Sequence, residues 1–223
     1  MKTLLLSLTY AVGVGELILA GYFIRTHSAN AVRRAMAILS AVTGLWVIST
    51  AAASYNTTAM GLTWYRASHV FGLFVVTSLF CFALLFPIAR RAIDRLHYLF
   101  IYSVPVVFSV IVMSSTVFLA GFSATVTNSG SWYGGSLYWL YSLYLLLMYA
   151  ATVIVLVSKY RAIDGTLRSN LVAVLWSVIL GGFPAVVTDV LFPLFTNEGR
   201  FAIVGSLSTV AWLGMTSYIV LKK

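Results

Sequence analysis

Two acidic residues interrupt long apolar stretches of this sequence, and their side chains are the best suited to chemistry. Glu16 falls in the middle of the first stretch, and Asp189 lies near the end of the sixth. Because a carboxyl group in hydrocarbon is costly, such a residue faces a partner, a cavity or a ligand. Two interpretations stay open for each of them. It is either a hydrogen-bonded structural group, or a group that binds a ligand or responds to protons.

Three other residues could meet Asp189 in space. Arg66 and His69 are three residues apart, so they share one face of a helix that begins there. Arg200 directly precedes the last apolar stretch. In the topology argued below, all of these residues lie near the outer surface of the membrane. We expect them to form a pocket that senses a small polar ligand or pH; the alternative is an ion pair that only fixes helix packing.

Two tyrosines extend this candidate pocket. Tyr138 and Tyr141 are three residues apart near the start of the fifth apolar stretch, so they lie along one side of a helix. A buried phenol hydroxyl needs a hydrogen-bond partner, which favours a wet cavity beside them. The alternative for such an aromatic stripe is simple packing and anchoring at the membrane interface.

A candidate hinge precedes Asp189 in the sixth stretch. It consists of Gly181, Gly182 and Pro184. Proline removes a main-chain donor and the glycines loosen the preceding turn, so we expect a kink. Kinked membrane helices are tolerated where they line a cavity. The spacing therefore predicts a movable element next to the pocket.

The elements that position these residues are membrane helices. The chain has 223 residues, of which 61% are apolar and 9% charged, against about 25% charged in a soluble domain. An apolar run of about 20 residues spans a bilayer. The sequence predicts an all-α membrane protein, a single domain over residues 1–223 formed by a bundle of seven transmembrane helices. Their predicted spans are 3–24, 35–54, 66–87, 97–120, 135–158, 169–193 and 201–221.

Basic residues in the connectors predict the orientation. Arg25, Arg33, Arg34, Arg90, Arg91, Arg95, Lys159, Arg161, Arg168, Lys222 and Lys223 fall on one side, and Lys2, Arg66 and Arg200 on the other. The positive-inside rule makes the first side cytoplasmic. We therefore expect a multi-pass protein of the cell inner membrane, with its N-terminus outside and its C-terminus in the cytoplasm. A cleaved signal peptide is the alternative for the first span, but Glu16 interrupts it and no small-residue cleavage site follows.

Several function classes are excluded by what the sequence lacks. A retinal Schiff base needs a lysine inside the last helix, and the lysines are Lys2, Lys159, Lys222 and Lys223. Motifs for hydrolases, metalloproteases and nucleotide-binding loops are absent, and His27, His69 and His97 have no metal-ligand spacing. We therefore expect no enzyme activity, metal or cofactor. The basic residues are dispersed between apolar runs, which favours the lipid bilayer over nucleic acid as their partner.

Several segments resemble the N-terminal seven-helix sensor region of bacterial histidine kinases. The resemblance rests on aromatic and apolar motifs and covers roughly residues 25–223. It is carried by Trp64 to His69 leading into Leu79 to Pro87, Gly135 to Tyr141 followed by Lys159 to Arg161, Gly205 to Leu207, and Ser217 to Val220. It implies a sensor in which a signal at the membrane or the outer face shifts helices that feed a cytoplasmic output domain. The resemblance transfers no ligand residues.

The sequence ends at Lys222 and Lys223 without a phosphoacceptor helix or an ATP-binding domain, so no kinase activity is assigned to it. The output would come from a further part of a longer chain or from a signalling partner, and a homodimer is possible. Two other hypotheses remain. The chain could be a small-molecule transporter whose path is lined by Glu16 and the sixth helix, or a structural subunit that binds another membrane protein.

Overall fold

A computed structural model describes residues 2–26, 30–56, 60–88, 95–114, 116–125, 128–196 and 202–222. Within these ranges, seven helices are long and apolar enough to cross a membrane, which confirms the predicted bundle. Helices suit this setting because they satisfy their main-chain hydrogen bonds internally, where lipid offers no partners.

The helices follow one another in the order that the hydropathy predicts. They are α1 (Lys2–Thr26), α2 (Ala31–Tyr55), α3 (Met60–Leu85), α4 (Arg95–Ser114), α5 (Tyr138–Tyr160), α6 (Gly165–Val186), α7 (Phe192–Thr196) and α8 (Ala202–Leu221). A π-helical segment, Val187–Leu191, joins α6 to the short α7, so these three elements form one span.

A β-hairpin between α4 and α5 corrects the predicted boundaries of that region. The prediction extended the fourth span to residue 120, but α4 ends at Ser114, and β1 (Leu119–Thr125) pairs antiparallel with β2 (Asn128–Gly134). Apolar residues near 117–120 prolong the hydropathy signal although the main chain has already left the helix. The hairpin contacts α2 and α3. We call this side of the bundle the hairpin end, and the side where α8 terminates the C-terminal end.

Five spans surround the centre of the bundle. α3 contacts α2 and α5, α6 contacts α5 and α8, and α8 contacts α2, which closes a ring. α1 packs on α2, and α4 packs on α3. α4 lies outside this ring and is largely exposed. A site could therefore lie in the interior of the ring.

Two glycines allow α1 to approach α2 closely. A methyl group added to Gly13 would lie 2.6 Å from Ile48, and one added to Gly44 would lie 2.7 Å from the carbonyl oxygen of Gly13. Small residues at such a crossing let the backbones approach, which is how membrane helices gain packing energy where lipid removes the hydrophobic drive.

Candidate functional site

A cavity of about 80 Å³ lies inside the ring of five spans. Most of its lining is aliphatic, with Trp46 of α2 and Trp212 of α8 on two sides. Its polar side chains include those of Tyr141, Asp189 and Thr209. Drug-sized ligands need pockets of about 300–1,000 Å³. This cavity therefore suits a ligand of a few atoms or the end of a hydrocarbon chain.

A second cavity, of about 20 Å³, shares Trp46, Tyr141 and Asp189 with the first. Its other lining residues are polar or aromatic and lie closer to the hairpin end: Thr50, Tyr65, Ser68 and His69. About 10–15 Å³ is enough for one water molecule. A small polar cavity thus adjoins a larger, mainly apolar one, and Asp189 lines both.

Asp189 lies in the π-helical segment. Its Oδ2 is buried and has no hydrogen-bond partner among the described residues. A methyl group added to Gly205 of α8 would overlap this oxygen, so α8 passes directly against the carboxylate. π-helical turns are rare and occur frequently at functional sites because they shift the side-chain register. Here the wide turn presents Asp189 to the cavities and to α8 together.

His69 lies within an aromatic cluster near Asp189. Its ring centroid is 5.3 Å from that of Tyr141, 5.4 Å from that of Phe118 and 5.9 Å from that of Tyr138. His69 is buried, and its Nδ1 lies 2.7 Å from the carbonyl oxygen of Tyr65, one turn earlier in α3. The carbonyl accepts only if Nδ1 carries the proton, which leaves Nε2 as the second ring nitrogen for other contacts.

The two predicted tyrosines connect three spans. The Tyr138 hydroxyl donates to the carbonyl oxygen of Asp189 at 2.8 Å, and the Tyr141 hydroxyl donates to the carbonyl oxygen of His69 at 3.3 Å. Both side chains are buried. α5 thereby holds the π-helical segment on one side and α3 on the other.

The two glycines of the candidate hinge lie at close helix contacts. A methyl group added to Gly181 would lie 2.5 Å from Cβ of Trp212, and one added to Gly182 would lie 2.8 Å from the ring of Tyr149. α6 continues through Pro184, and the wide turn begins three residues later. Because proline has no N–H, the helix lacks one internal bond here. Hinge motion at this point stays a prediction.

Side chains of α8 and α5 donate to carbonyl oxygens near Pro184. Ser208 Oγ donates to the carbonyl oxygen of Gly181 at 2.7 Å, and the Tyr149 hydroxyl donates to that of Val178 at 3.0 Å. About one turn before Gly181 in α6, towards the C-terminal end of the bundle, the hydroxyl groups of Ser177 and Thr216 are 3.1 Å apart. The proline-containing part of α6 is therefore tied by polar contacts to α8, the last helix of the chain.

The sequence of this chain matches one known protein family. The family described as the N-terminal seven-transmembrane region of histidine kinases matches residues 8–218. The chain belongs to this family. The match extends across all seven spans, including those that line both cavities. No curated protein matches the sequence.

Membership in this seven-transmembrane family confirms the resemblance, and together with the seven apolar helices it confirms the multi-pass membrane character. It is consistent with an input module rather than a catalytic one. Among the described residues, no cluster of His, Cys, Asp or Glu could hold a metal ion.

Arg66 lies apart from the two cavities. Arg66 Nη1 donates to the carbonyl oxygen of Met113 at 3.1 Å, at the end of α4. Neither cavity has Arg66 in its lining. Arg200 lies outside the described residues. A ligand role stays a prediction for both arginines and equally for His69, Tyr138, Tyr141 and Asp189. The last four residues lie close together, although Tyr138 lines neither cavity.

Glu16 lies apart from these cavities. It is buried, and its Oε2 has no hydrogen-bond partner among the residues that the structure describes. It is three residues after Gly13, on the side of α1 that faces α2. The buried hydroxyls of Ser40 and Thr43 in α2 likewise lack a partner within the described ranges. α1 and α2 thus each contain buried polar atoms without a partner among the described residues, where membrane packing would favour paired ones.

Lys159 is a structural residue that sequence reasoning counted only as a cytoplasmic charge. Its side chain is buried, and Nζ donates to the carbonyl oxygens of Ala83, Leu84, Phe86 and Ile88 at 2.7–3.0 Å. The last carbonyls of a helix lack internal donors, and a cation there is favourable. Lys159 therefore caps α3 from the end of α5. The feature of the sequence that could have indicated this role is a lysine in the last turn of a helix with no acidic neighbour.

Proposed function

We propose that this chain is a sensor module in which the cavities at Asp189 receive a signal and α8 passes it on. One observation carries the proposal: the Asp189 side chain lines both cavities and also contacts α8 at Gly205. Any ligand, proton or lipid that changes the surroundings of this carboxylate acts directly on the last helix.

Two packings of the bundle are enough for such a device. In one, Asp189 Oδ2 lacks a partner; in the other, a ligand or a donor satisfies it. An unsatisfied buried polar group costs about 1–3 kcal/mol. A difference of this size shifts a two-state equilibrium substantially. The π-helical segment and the proline in α6 are the parts of the span with the fewest regular helical bonds, so we place the movement there.

The proposed direction of the signal follows from the charges in the connectors. The hairpin end, with His69 and Asp189, would face outward from the inner membrane, and the C-terminal end would face the cytoplasm, because most Lys and Arg residues flank the latter. α8 would then deliver the movement to a cytoplasmic output domain or a signalling partner. Histidine kinase output is the natural expectation from the family.

The experiment compares helix positions in variants of Asp189. Spin labels are attached at cysteines introduced at Ala162 and Lys222, both exposed at the C-terminal end, in a background where Cys81 is replaced by alanine. Asp189→Ala removes the unpartnered oxygen, so the bundle should favour one packing. Helix shifts of about 1–2 Å at such interfaces are typical of switches. Electron paramagnetic resonance in nanodiscs measures the change.

Asp164→Asn is the matched control. Asp164 is exposed, and within the described part of the chain its one ion pair is with Arg168 at 3.9 Å, one turn along α6. Its replacement should leave the distance distribution unchanged. If Asp189→Ala and Asp164→Asn both reproduce the wild-type distances, Asp189 does not govern α8 and the proposal is wrong.

Transport is the competing function, and a proton-flux assay separates the two. Glu16 and Asp189 are acidic groups within the spans, so protons are the natural probe. A pH gradient is imposed on proteoliposomes that contain trapped pyranine. A sensor should leave the gradient decaying as in protein-free liposomes. Faster decay that Asp189→Ala abolishes would favour a transporter.

A further inference from the structure

A third cavity lies towards the C-terminal end, away from Asp189. Its volume is about 450 Å³. It is formed between α2, α3 and α4, with lining residues Ala31, Arg34, Ala35, Ile38, Ser78, Cys81, Tyr98 and Tyr102. α2 and α4 both pack on α3, so this cavity is a groove over α3 with a helix on either side. It is separate from the ring that encloses the candidate sensor site.

The chemistry of this groove favours an anion. Among the residues that the structure describes, Arg34 is the one permanently charged lining residue and no carboxylate lines the groove. Arg34 is exposed, in the first turn of α2, where the helix dipole adds positive potential. Tyr98 and Tyr102 supply hydroxyl groups, and Tyr102 is 3.0 Å from Ser78 Oγ. A guanidinium with neighbouring hydroxyls is well suited to a phosphate.

The groove becomes apolar towards the middle of the membrane. Ile38 lines the groove one turn after Arg34 and is 50% exposed. Val106, one turn after Tyr102 on α4, lies beyond the lining residues and is 52% exposed. α2 and α4 both begin at the C-terminal end, so these two apolar residues lie deeper than Arg34 and Tyr98. A ligand that fits this gradient has a negatively charged head and a hydrocarbon tail.

We propose that this groove binds an anionic phospholipid, with its phosphate at Arg34 and an acyl chain beside Ile38. Basic pockets between membrane helices at the cytoplasmic side are a recurring form of headgroup site. Occupation would link α2 and α4 across α3. The proposal does not depend on the function assigned to Asp189.

Native mass spectrometry of the purified chain tests the proposal. The protein in detergent is titrated with phosphatidylglycerol or phosphatidylcholine. The wild type should retain phosphatidylglycerol preferentially. Arg34→Gln should weaken that binding about tenfold or more, since a charge-assisted hydrogen bond is lost. Tyr98→Phe should weaken it to a smaller extent and serves as a second variant if Arg34→Gln folds poorly.

Arg25→Gln is the control, because Arg25 is an exposed arginine at the same end of the bundle but does not line the groove. It should bind phosphatidylglycerol like the wild type. Equal retention of the two lipids, or equal loss in Arg25→Gln and Arg34→Gln, would overturn the proposal. Millimolar inorganic phosphate is the last arm. If it displaces the lipid completely, the groove is a site for free phosphate and the lipid assignment is wrong.

Discussion

Gly205 of α8 lies directly against the carboxylate of Asp189, with no room for a side chain between them. A larger residue at this position meets the side-chain oxygens of Asp189 and Thr188 and, at 3.0 Å, the main chain of Ala185. Overpacking a close contact costs about 1–3 kcal/mol, so we expect these two side chains to turn away or the two helices to separate. Substitution of Gly205 therefore tests the proposed signalling step directly.

We expect Gly205→Ala to change the distance between spin labels at positions 162 and 222 and to lower the thermal unfolding midpoint. Gly214→Ala is the matched control in the same helix, because a methyl group there meets nothing within 4 Å. If Gly205→Ala and Gly214→Ala have the same effect, the contact with Asp189 is not a constraint on α8.

The bond between Tyr138 and the π-helical segment gives a second prediction. Tyr138→Phe removes the hydroxyl that donates to the carbonyl oxygen of Asp189. We expect a loss of about 0.5–1.5 kcal/mol of stability, the ordinary net value of such a bond. Trp139→Phe, at a neighbouring side chain that is 54% exposed, should have a smaller effect. Thermal unfolding in the same detergent compares the two, and equal midpoints would contradict the assignment.

Lys159 should stabilise the fold by capping the C-terminal end of α3. Lys159→Met keeps a long side chain but leaves buried carbonyl oxygens without their donor. Unsatisfied buried groups cost about 1–3 kcal/mol each, so the unfolding midpoint should fall clearly. Arg161→Met is the control, since Arg161 is a nearby exposed basic residue. A midpoint unchanged by Lys159→Met would show that water or another donor replaces the ammonium group.

The α1–α2 crossing offers an internal comparison between neighbouring glycines. Gly13→Leu should force α1 away from α2, because even a methyl group there is 2.6 Å from Ile48. Gly15→Leu should be tolerated, since a methyl group at Gly15 meets nothing within 4 Å. Crosslinking between cysteines placed in α1 and α2 measures the separation. Efficient crosslinking in both variants would mean that the close approach is not needed.

Cysteine labelling tests the predicted orientation. Ser136 and Ala162 are exposed at opposite ends of α5, and the native cysteine, Cys81, is buried. In intact cells, a membrane-impermeant maleimide should label Ser136→Cys, whereas Ala162→Cys should react only after lysis. The wild type is the background control. The reverse pattern would place the C-terminus outside.

Part of the candidate site was predictable from residue types alone. A carboxylate, a histidine and two tyrosines at similar depth in apolar spans predict a shared pocket, because each is too costly to leave in lipid. The structure places His69, Tyr141 and Asp189 in the lining of one cavity, and Tyr138 beside it, bonded to the main chain of Asp189. The same reasoning grouped Arg66 with them by depth. Depth alone cannot say which neighbour a long side chain reaches, and Arg66 Nη1 bonds to the end of α4.

The sequence by itself determined the number of membrane spans, their order and the family, because the length and hydropathy of each span are local properties that the bilayer selects. Tertiary structure alone decided the ring of five spans, the cap of Lys159 on α3, the wide turn at Asp189 and its contact with Gly205. These features join residues far apart in the chain. They depend on which faces of apolar helices meet, and helices that are apolar on all sides carry no periodic signal that specifies those faces.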